Sequence, residues 1–127
     1  MATTQVDVGT PSNLTLYSDT NMSATADAVK NSSATVYWVQ ADNTASGSAS
    51  YVKLYNTASG SVAVGTTVPD EVIYVPAGAL ITQQMSTGAA PGKTFGTALT
   101  ACCVTTGGTG GTTSPGPAHV TVTIAYV

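Results

Sequence analysis

Charged side chains are scarce in this 127-residue chain, and arginine is absent altogether. Only 7% of the residues are charged, against about 25% in an average soluble domain. Proteins that bind nucleic acids displace counterions from phosphates with clustered basic side chains, whereas Lys30, Lys53 and Lys93 are scattered singly. The composition therefore predicts no nucleic-acid partner.

Long apolar runs are also missing. The longest apolar stretches are about four or five residues, whereas a membrane-spanning helix needs roughly 20. The first residues contain neither the basic region nor the apolar region of a secretory signal, so we expect synthesis in the cytoplasm and no membrane partner.

Residues with catalytic chemistry are few. His119 is the only histidine, and no serine lies in the Gly-x-Ser-x-Gly pattern of a nucleophile elbow. Asp70 and Glu71 are the only adjacent acids, and neighbours on an extended chain point to opposite faces, so their carboxylates are not expected to converge. The other acids lie too far apart in the sequence to suggest a pair: Asp7, Asp19, Asp27 and Asp42. We therefore expect no enzymatic activity and no catalytic residues.

Two adjacent cysteines, Cys102 and Cys103, are the only thiols. They lack the Cys-x-x-Cys spacing of a zinc site, and no second Cys/His pair completes one, so we expect no metal and no cofactor. In a strand they would point to opposite faces, one into the core and the other towards a second layer or a neighbouring molecule.

Small hydroxyl residues and strand-like runs are what the chain has instead. It contains 23 threonines and 12 serines. Short β-branched and aromatic runs alternate with glycine, proline, asparagine and serine clusters, which is typical of strands and turns. The best helical candidate, residues 22–30, is short. The predicted strands are 13–18, 34–42, 50–56, 71–75, 79–85, 97–105 and 119–127, with residues 4–8 as an eighth.

Alternation within these runs predicts which residues form the core. Residues 119–127 place Val120, Val122, Ile124 and Tyr126 on one face. Residues 34–42 are apolar on both faces, which predicts a central strand. In 50–56, three residues (51, 53 and 55) oppose two apolar ones (52 and 54). The predicted core residues are Val36, Trp38, Leu54, Val122 and Ile124.

Seven or eight short strands in one domain predict an all-β fold, an antiparallel β-sandwich of jelly-roll or immunoglobulin-like type. The sandwich should span residues 13–127, preceded by an N-terminal arm, 1–12. Residues 106–117, rich in glycine and proline, predict a long flexible loop or a hairpin tip joining the last two strands.

A surface of threonine, serine, alanine and glycine can be buried against another protein without desolvating ions. This favours a structural, oligomeric protein. The candidate interface residues are Tyr51 and Tyr55 on a strand and Val6 and Val8 in the arm. Exposed tyrosines could alternatively stack on sugar rings.

One part of the chain, residues 34–80, resembles small tailed-bacteriophage virion proteins. The likeness is carried by Val-Tyr-Trp-Val-Gln-Ala-Asp at 36–42, the Lys-Leu-Tyr strand at 51–56, and the Gly-Thr-Thr-Val-Pro-Asp loop at 65–70 leading to Val-Pro-Ala-Gly at 75–78. In those proteins a strand ending in Asp-Asn precedes a Lys-Leu-Tyr strand and a Gly-Thr-Thr-x-Pro loop.

The resemblance implies a β-sandwich capsid decoration (cement) protein, or a related tail or fibre component, and brings no catalytic residues. A decoration protein would be a homotrimer on the capsid exterior, made in the host cytoplasm, and would bridge and stabilise neighbouring major capsid protein subunits. The alternative is a tail-fibre or receptor-binding module that binds host surface glycans.

Overall fold

Antiparallel strands account for most of the regular structure. The computed structural model describes residues 11–88 and 90–127, so Val6, Val8 and the predicted strand at 4–8 lie outside it. In chain order the strands are β1 Thr15–Asp19, β2 Asp27–Lys30, β3 Ala34–Asp42, β4 Ser50–Tyr55, β5 Glu71–Val75, β6 Leu80–Gln84, β7 Ser86–Thr87, β8 Ala90–Pro91, β9 Lys93–Phe95, β10 Leu99–Val104 and β11 Thr121–Tyr126.

These strands form two sheets and a small hairpin. The first sheet has the order β1-β11-β3-β6, with β9 also paired to β3. The second sheet has the order β2-β10-β4-β5, and β7 pairs with β8. The pairing is nested along the chain, because the first strand pairs with the last and strands nearer the middle pair with one another. The pairs are β1 with β11, β2 with β10, β3 with β6 and β9, and β4 with β5. This nested pairing, distributed over two sheets, is that of a jelly roll and not of an immunoglobulin domain.

The core lies between the two sheets. Val36, Val122 and Ile124 of the first sheet and Leu54 of the second are buried, as the alternation predicted. They belong to one cluster with Phe95 and residues of both sheets. β3 lies between β11 on one side and β6 and β9 on the other, so it is an inner strand of the first sheet, as predicted.

Trp38 is an exception to the predicted core, because it is only half-buried. Tyr126 of β11 pairs with Val36 and Ala125 pairs with Trp38, so Tyr37 is an extra residue without a partner on β11. Such a bulge reverses the inward face of a strand. Val36 and Val39 therefore both point inwards, and Trp38 faces away from the core.

A further correction concerns residues 22–30, the best helical candidate. They contain β2, an edge strand of the second sheet. Asp27 and Ala28 pair with β10, and Val29 enters the core. Tertiary pairing has overridden the weak local preference of a short alanine-containing segment.

The loop 105–120 does not form a hairpin tip, because β10 and β11 belong to different sheets. It lies over the outer face of the second sheet, where Gly107 packs against the ring of Tyr51. The loop 56–70 covers the same face. Its Thr57 carbonyl accepts a hydrogen bond from Thr100 Oγ1 at 2.6 Å, and Gly65 lies against Thr112 of the other loop.

Asn43 fixes the turn that follows β3. Its buried Nδ2 donates to the Ser48 carbonyl at 2.8 Å and to the Pro76 carbonyl at 3.1 Å. The Asp-Asn and Pro-Ala-Gly motifs of the phage resemblance thus meet in space, and Asn43 joins the β3–β4 loop to the β5–β6 turn.

Candidate functional site

Among the described residues, each of the two sheets ends in an outer strand on either side of the sandwich. On one side, β1 and β2 carry Asp19, Asp27 and Lys30. On the other side, where β5 contacts β6, β6 has no charged residue, whereas Asp70 and Glu71 lie at the start of β5 and Glu71 forms an ion pair with Lys93 of β9 at 2.6 Å. Natural sheet edges are usually blocked by charges, proline or bulges. This side, strands β5 and β6 with the residues just before them, is called the β5–β6 side below.

Exposed apolar side chains occur on both faces of the β5–β6 side: Val72 and Tyr74 point outwards from the second sheet, whereas Leu80 points outwards from the first sheet. Four of the six large exposed hydrophobic residues among those described lie on it, and Val68 (71%), Leu80 (55%) and Tyr74 (54%) are the most exposed of these four. Val72 is the fourth. Among the described residues, β5 and β6 are each the outer strand of a sheet, and exposed apolar side chains lie on them, which suits protein–protein contact.

Tyr51, one of the predicted interface residues, borders this side. Its ring lies 5.3 Å from that of Tyr74, centroid to centroid, in a tilted arrangement. Tyr51 is itself half-buried, because the loop at Gly107 packs on it. Tyr74 is the more accessible of the two rings, and the sequence did not single it out.

Tyr55 is not an interface residue, because it is fully buried. Tyr51, Lys53 and Tyr55 do point away from the core, but the loops 56–70 and 105–120 cover that face. The Tyr55 hydroxyl contacts Cys102 Sγ at 3.7 Å. Burial is the main cause of the raised pKa of Tyr55, and the contact with Cys102 adds to it.

Lys53 lies in the same covered layer. It pairs with Cys102 across β4 and β10 and is fully buried, and its Nζ finds no hydrogen-bond partner among the described residues. A buried ammonium without a partner is costly. Lys53, Tyr55 and Cys102 have no exposed surface, so we expect them to affect stability.

The two cysteines take opposite faces of β10, as predicted. Cys103 belongs to the core cluster, whereas Cys102 lies under the covering loops. Both are free thiols. Burial raises the pKa of Cys102, and burial together with the neighbouring Cys102 raises the pKa of Cys103 to about 12.

The adjacent acids separate as expected. Asp70 Oδ2 accepts a hydrogen bond from the Asn56 amide at 2.7 Å, whereas Glu71 Oε2 accepts from Lys93 Nζ. His119 follows Ala118, which has a positive φ of 55°, and its ring packs on Gly116. His119 thus serves to shape the end of the loop 105–120.

One acid pair was missed because its members are eight positions apart and belong to different sheets. Asp19 and Asp27 meet where the chain crosses from β1 to β2. The pKa of Asp27 is raised by its partial burial and then by the neighbouring Asp19. Burial and these two acids raise the pKa of Tyr17 to about 12.

A polar cleft of about 380 Å³ opens at one end of the β5–β6 side. Its walls are Glu71 of β5, Gln83 and Gln84 of β6, and Lys93 of β9, with further contributions from Met85, Ser86 and Thr87. Lys93 Nζ donates to Glu71 and to the Asp70 carbonyl at 3.0 Å, and it lies 5.7 Å from the centre of the Phe95 ring. The ion pair is therefore held in one position.

Within residues 11–88 and 90–127, no cluster of three or more histidine, cysteine or acidic side chains has the arrangement of a metal site. The described part of the chain also contains no helix of the length and hydrophobicity needed to cross a membrane.

Comparison with known proteins returns no relatives: no protein-family model matches the chain, and neither does any curated protein or solved structure.

Proposed function

We propose that this protein is a structural component of a bacteriophage virion, and specifically a capsid decoration protein. It binds the capsid exterior as a homotrimer and bridges neighbouring major capsid protein subunits. It acts by binding and not by catalysis, and it requires neither a nucleic acid nor a membrane. The phage assignment comes from the resemblance in residues 34–80.

The observation that carries the proposal is the β5–β6 side. Outer strands that carry exposed apolar side chains are a liability for a free monomer, because such edges pair with other chains. In an assembly the same features are useful. Backbone groups of β5 or β6 can hydrogen-bond to a partner strand, and Val68, Val72, Tyr74 and Leu80 can be buried without desolvating ions.

The jelly-roll topology agrees with this role, since viral capsid proteins often have it. Lectins and cupins have it too, so the fold alone does not decide the function. The exposed apolar side chains in and just before β5 and β6 are the more specific support.

Binding to capsids that lack the protein tests the proposal. Purified protein is mixed with expanded capsids, and the particles are sedimented and imaged by electron microscopy. We expect saturable binding at defined positions on the exterior. Tyr74→Lys combined with Leu80→Lys should abolish binding, because charges on an edge oppose strand pairing and apolar burial.

Asn31→Lys together with Ser32→Lys is the matched control. Both residues are exposed in the turn after β2, away from the β5–β6 side, and the added charge is the same. Equal loss of binding in the control, or no binding of the unmodified protein, would refute the proposal.

A further inference from the structure

The polar cleft described above offers hydrogen bonds of both kinds around a charge pair that is already neutralised. Gln83, Gln84, Ser86 and Thr87 are exposed at its walls. Gln83 Nε2 donates one hydrogen to the Gln84 carbonyl at 3.0 Å and the Thr87 hydroxyl donates to the Gly92 carbonyl, so Gln83 keeps a second donor and an acceptor and Thr87 keeps an acceptor. Glu71 uses Oε2 for the ion pair with Lys93, which leaves Oε1 outside that pair.

The chemistry of the walls narrows the class of ligand. An anion would have to compete with Glu71 for Lys93, and a metal ion would find only one carboxylate. An apolar ligand would leave these polar groups unpaired, which is costly. An extended peptide needs apolar pockets for alternate side chains, and the only apolar wall residue, Met85, is itself buried.

We propose that this cleft binds a neutral saccharide. Sugar hydroxyls donate and accept hydrogen bonds at once, as the glutamine amides and the Ser86 hydroxyl do. A cleft of about 380 Å³ is within the usual size range of small-molecule sites. This inference goes beyond the proposed attachment to capsids and does not depend on it.

The side chains that line the cleft are held in place before a ligand binds, which reduces the conformational entropy lost on binding. Lys93 is held by Glu71, by the Asp70 carbonyl and by the Phe95 ring beneath it. Gly92 turns the chain towards Lys93 with a φ of +87° and lies against Tyr37. The Thr87 hydroxyl donates to the Gly92 carbonyl at 3.3 Å, which fixes the short hairpin at the rim.

The cleft is a different place on the molecule from the tyrosines that were considered for stacking on sugar rings. Neither Tyr51 nor Tyr55 lines the cleft. Glycan binding through hydrogen-bonding walls therefore predicts that Tyr51→Ala leaves saccharide affinity unchanged, provided that the protein folds.

Amide NMR spectra of the full chain, recorded during titration with saccharides, test the proposal. The probes are maltotriose, cellotriose and N,N′,N″-triacetylchitotriose as neutral ligands and a sulfated disaccharide as the charged comparison. We expect saturable shifts for at least one neutral probe, confined to residues 83–87, Glu71 and Lys93 and including the glutamine side-chain amides. The affinity should not depend on the salt concentration. The ligand is uncharged, and Glu71 and Lys93 already neutralise each other, so binding changes no interaction with counterions.

The combined variant Gln83→Ala/Gln84→Ala should weaken the binding by about tenfold or more, since it removes several hydrogen bonds. Thr82→Ala is the control: Thr82 is exposed on the same strand but does not line the cleft. A dispersed spectrum shows that each variant is folded.

Three results would overturn the proposal: no shifts with any neutral probe at millimolar concentrations, shifts that map elsewhere on the surface, or binding of the sulfated disaccharide alone. The capsid-binding experiment with the β5–β6 variants does not measure saccharide binding. Either proposal can therefore be refuted while the other stands.

Discussion

Lys53 is the residue whose position is hardest to reconcile with simple burial rules. Its ammonium lies in a closed layer between the second sheet and two loops, without a hydrogen-bond partner among the described residues. We expect Lys53→Met, which keeps most of the unbranched side chain and removes the charged amine, to raise the free energy of unfolding by about 1–3 kcal/mol. Urea unfolding monitored by fluorescence measures this change.

Lys30→Met is the control for that prediction. Lys30 is half-buried at the edge strand β2, and its replacement should change stability by less than about 0.5 kcal/mol. If Lys53→Met destabilises the protein while Lys30→Met does not, then Lys53 has a partner that stabilises its charge.

The thiols give a second prediction at this scale. Alkylation requires the thiolate, and burial raises the pKa of both cysteines, that of Cys103 to about 12. At pH 8 the folded protein should therefore react negligibly with iodoacetamide, and both thiols should react after denaturation in urea. Mass spectrometry counts the labels. Rapid labelling of the native protein at either position would contradict the buried placement of β10.

Single elements were predictable wherever alternation was regular. The sequence predicts which face of the last strand points into the core, and the burial of Val120, Val122 and Ile124 confirms it. β3 illustrates the limit. The extra residue Tyr37 reverses its inward face, and nothing local to 34–42 marks this bulge, because it depends on where β6 gives way to β9 across the strand.

The covering loops were also beyond local prediction. Glycine-rich composition indicates a loop, but not that the loop packs on a sheet. Gly65 shows how closely it packs: its φ is +92°, and a side chain there would collide with Thr112. Tyr55 and Lys53 are buried for this reason alone, although the alternation of β4 places them opposite the core.

Gly65→Ala tests this loop packing. The substitution introduces both backbone strain and a clash, so we expect it to destabilise the protein by about 1–3 kcal/mol. Gly60→Ala is the matched control, because nothing lies within 4 Å of its added methyl group. Urea unfolding midpoints compare the two variants. Equal midpoints would mean that the loops 56–70 and 105–120 do not pack as described.

At the scale of the whole molecule, the sequence restricted the fold to a sandwich but left its topology open. The jelly roll depends on pairs such as β1 with β11, which lie about as far apart in the chain as possible. The polar cleft was missed for a related reason. Its walls come from four strands, and no short motif marks Glu71, the two glutamines and Lys93 as neighbours.

The charge distribution of the whole molecule determines how it should attach to a particle. With nine charged side chains in all, of which Glu71 and Lys93 already pair with each other, ion pairs cannot supply most of the contact. Apolar burial and backbone hydrogen bonds remain. Screening, which shortens to about 3 Å at 1 M salt, leaves these interactions intact, whereas urea weakens apolar burial.

Release from intact virions across a salt series tests the central claim most directly. Particles are incubated from low salt to about 1 M sodium chloride, and in a parallel urea series, and the protein is quantified in the pellet and supernatant after sedimentation. The account predicts full retention at every salt concentration and release by urea before the particles break down. Quantitative release by 1 M sodium chloride, or absence of the protein from the particles at low salt, would contradict it.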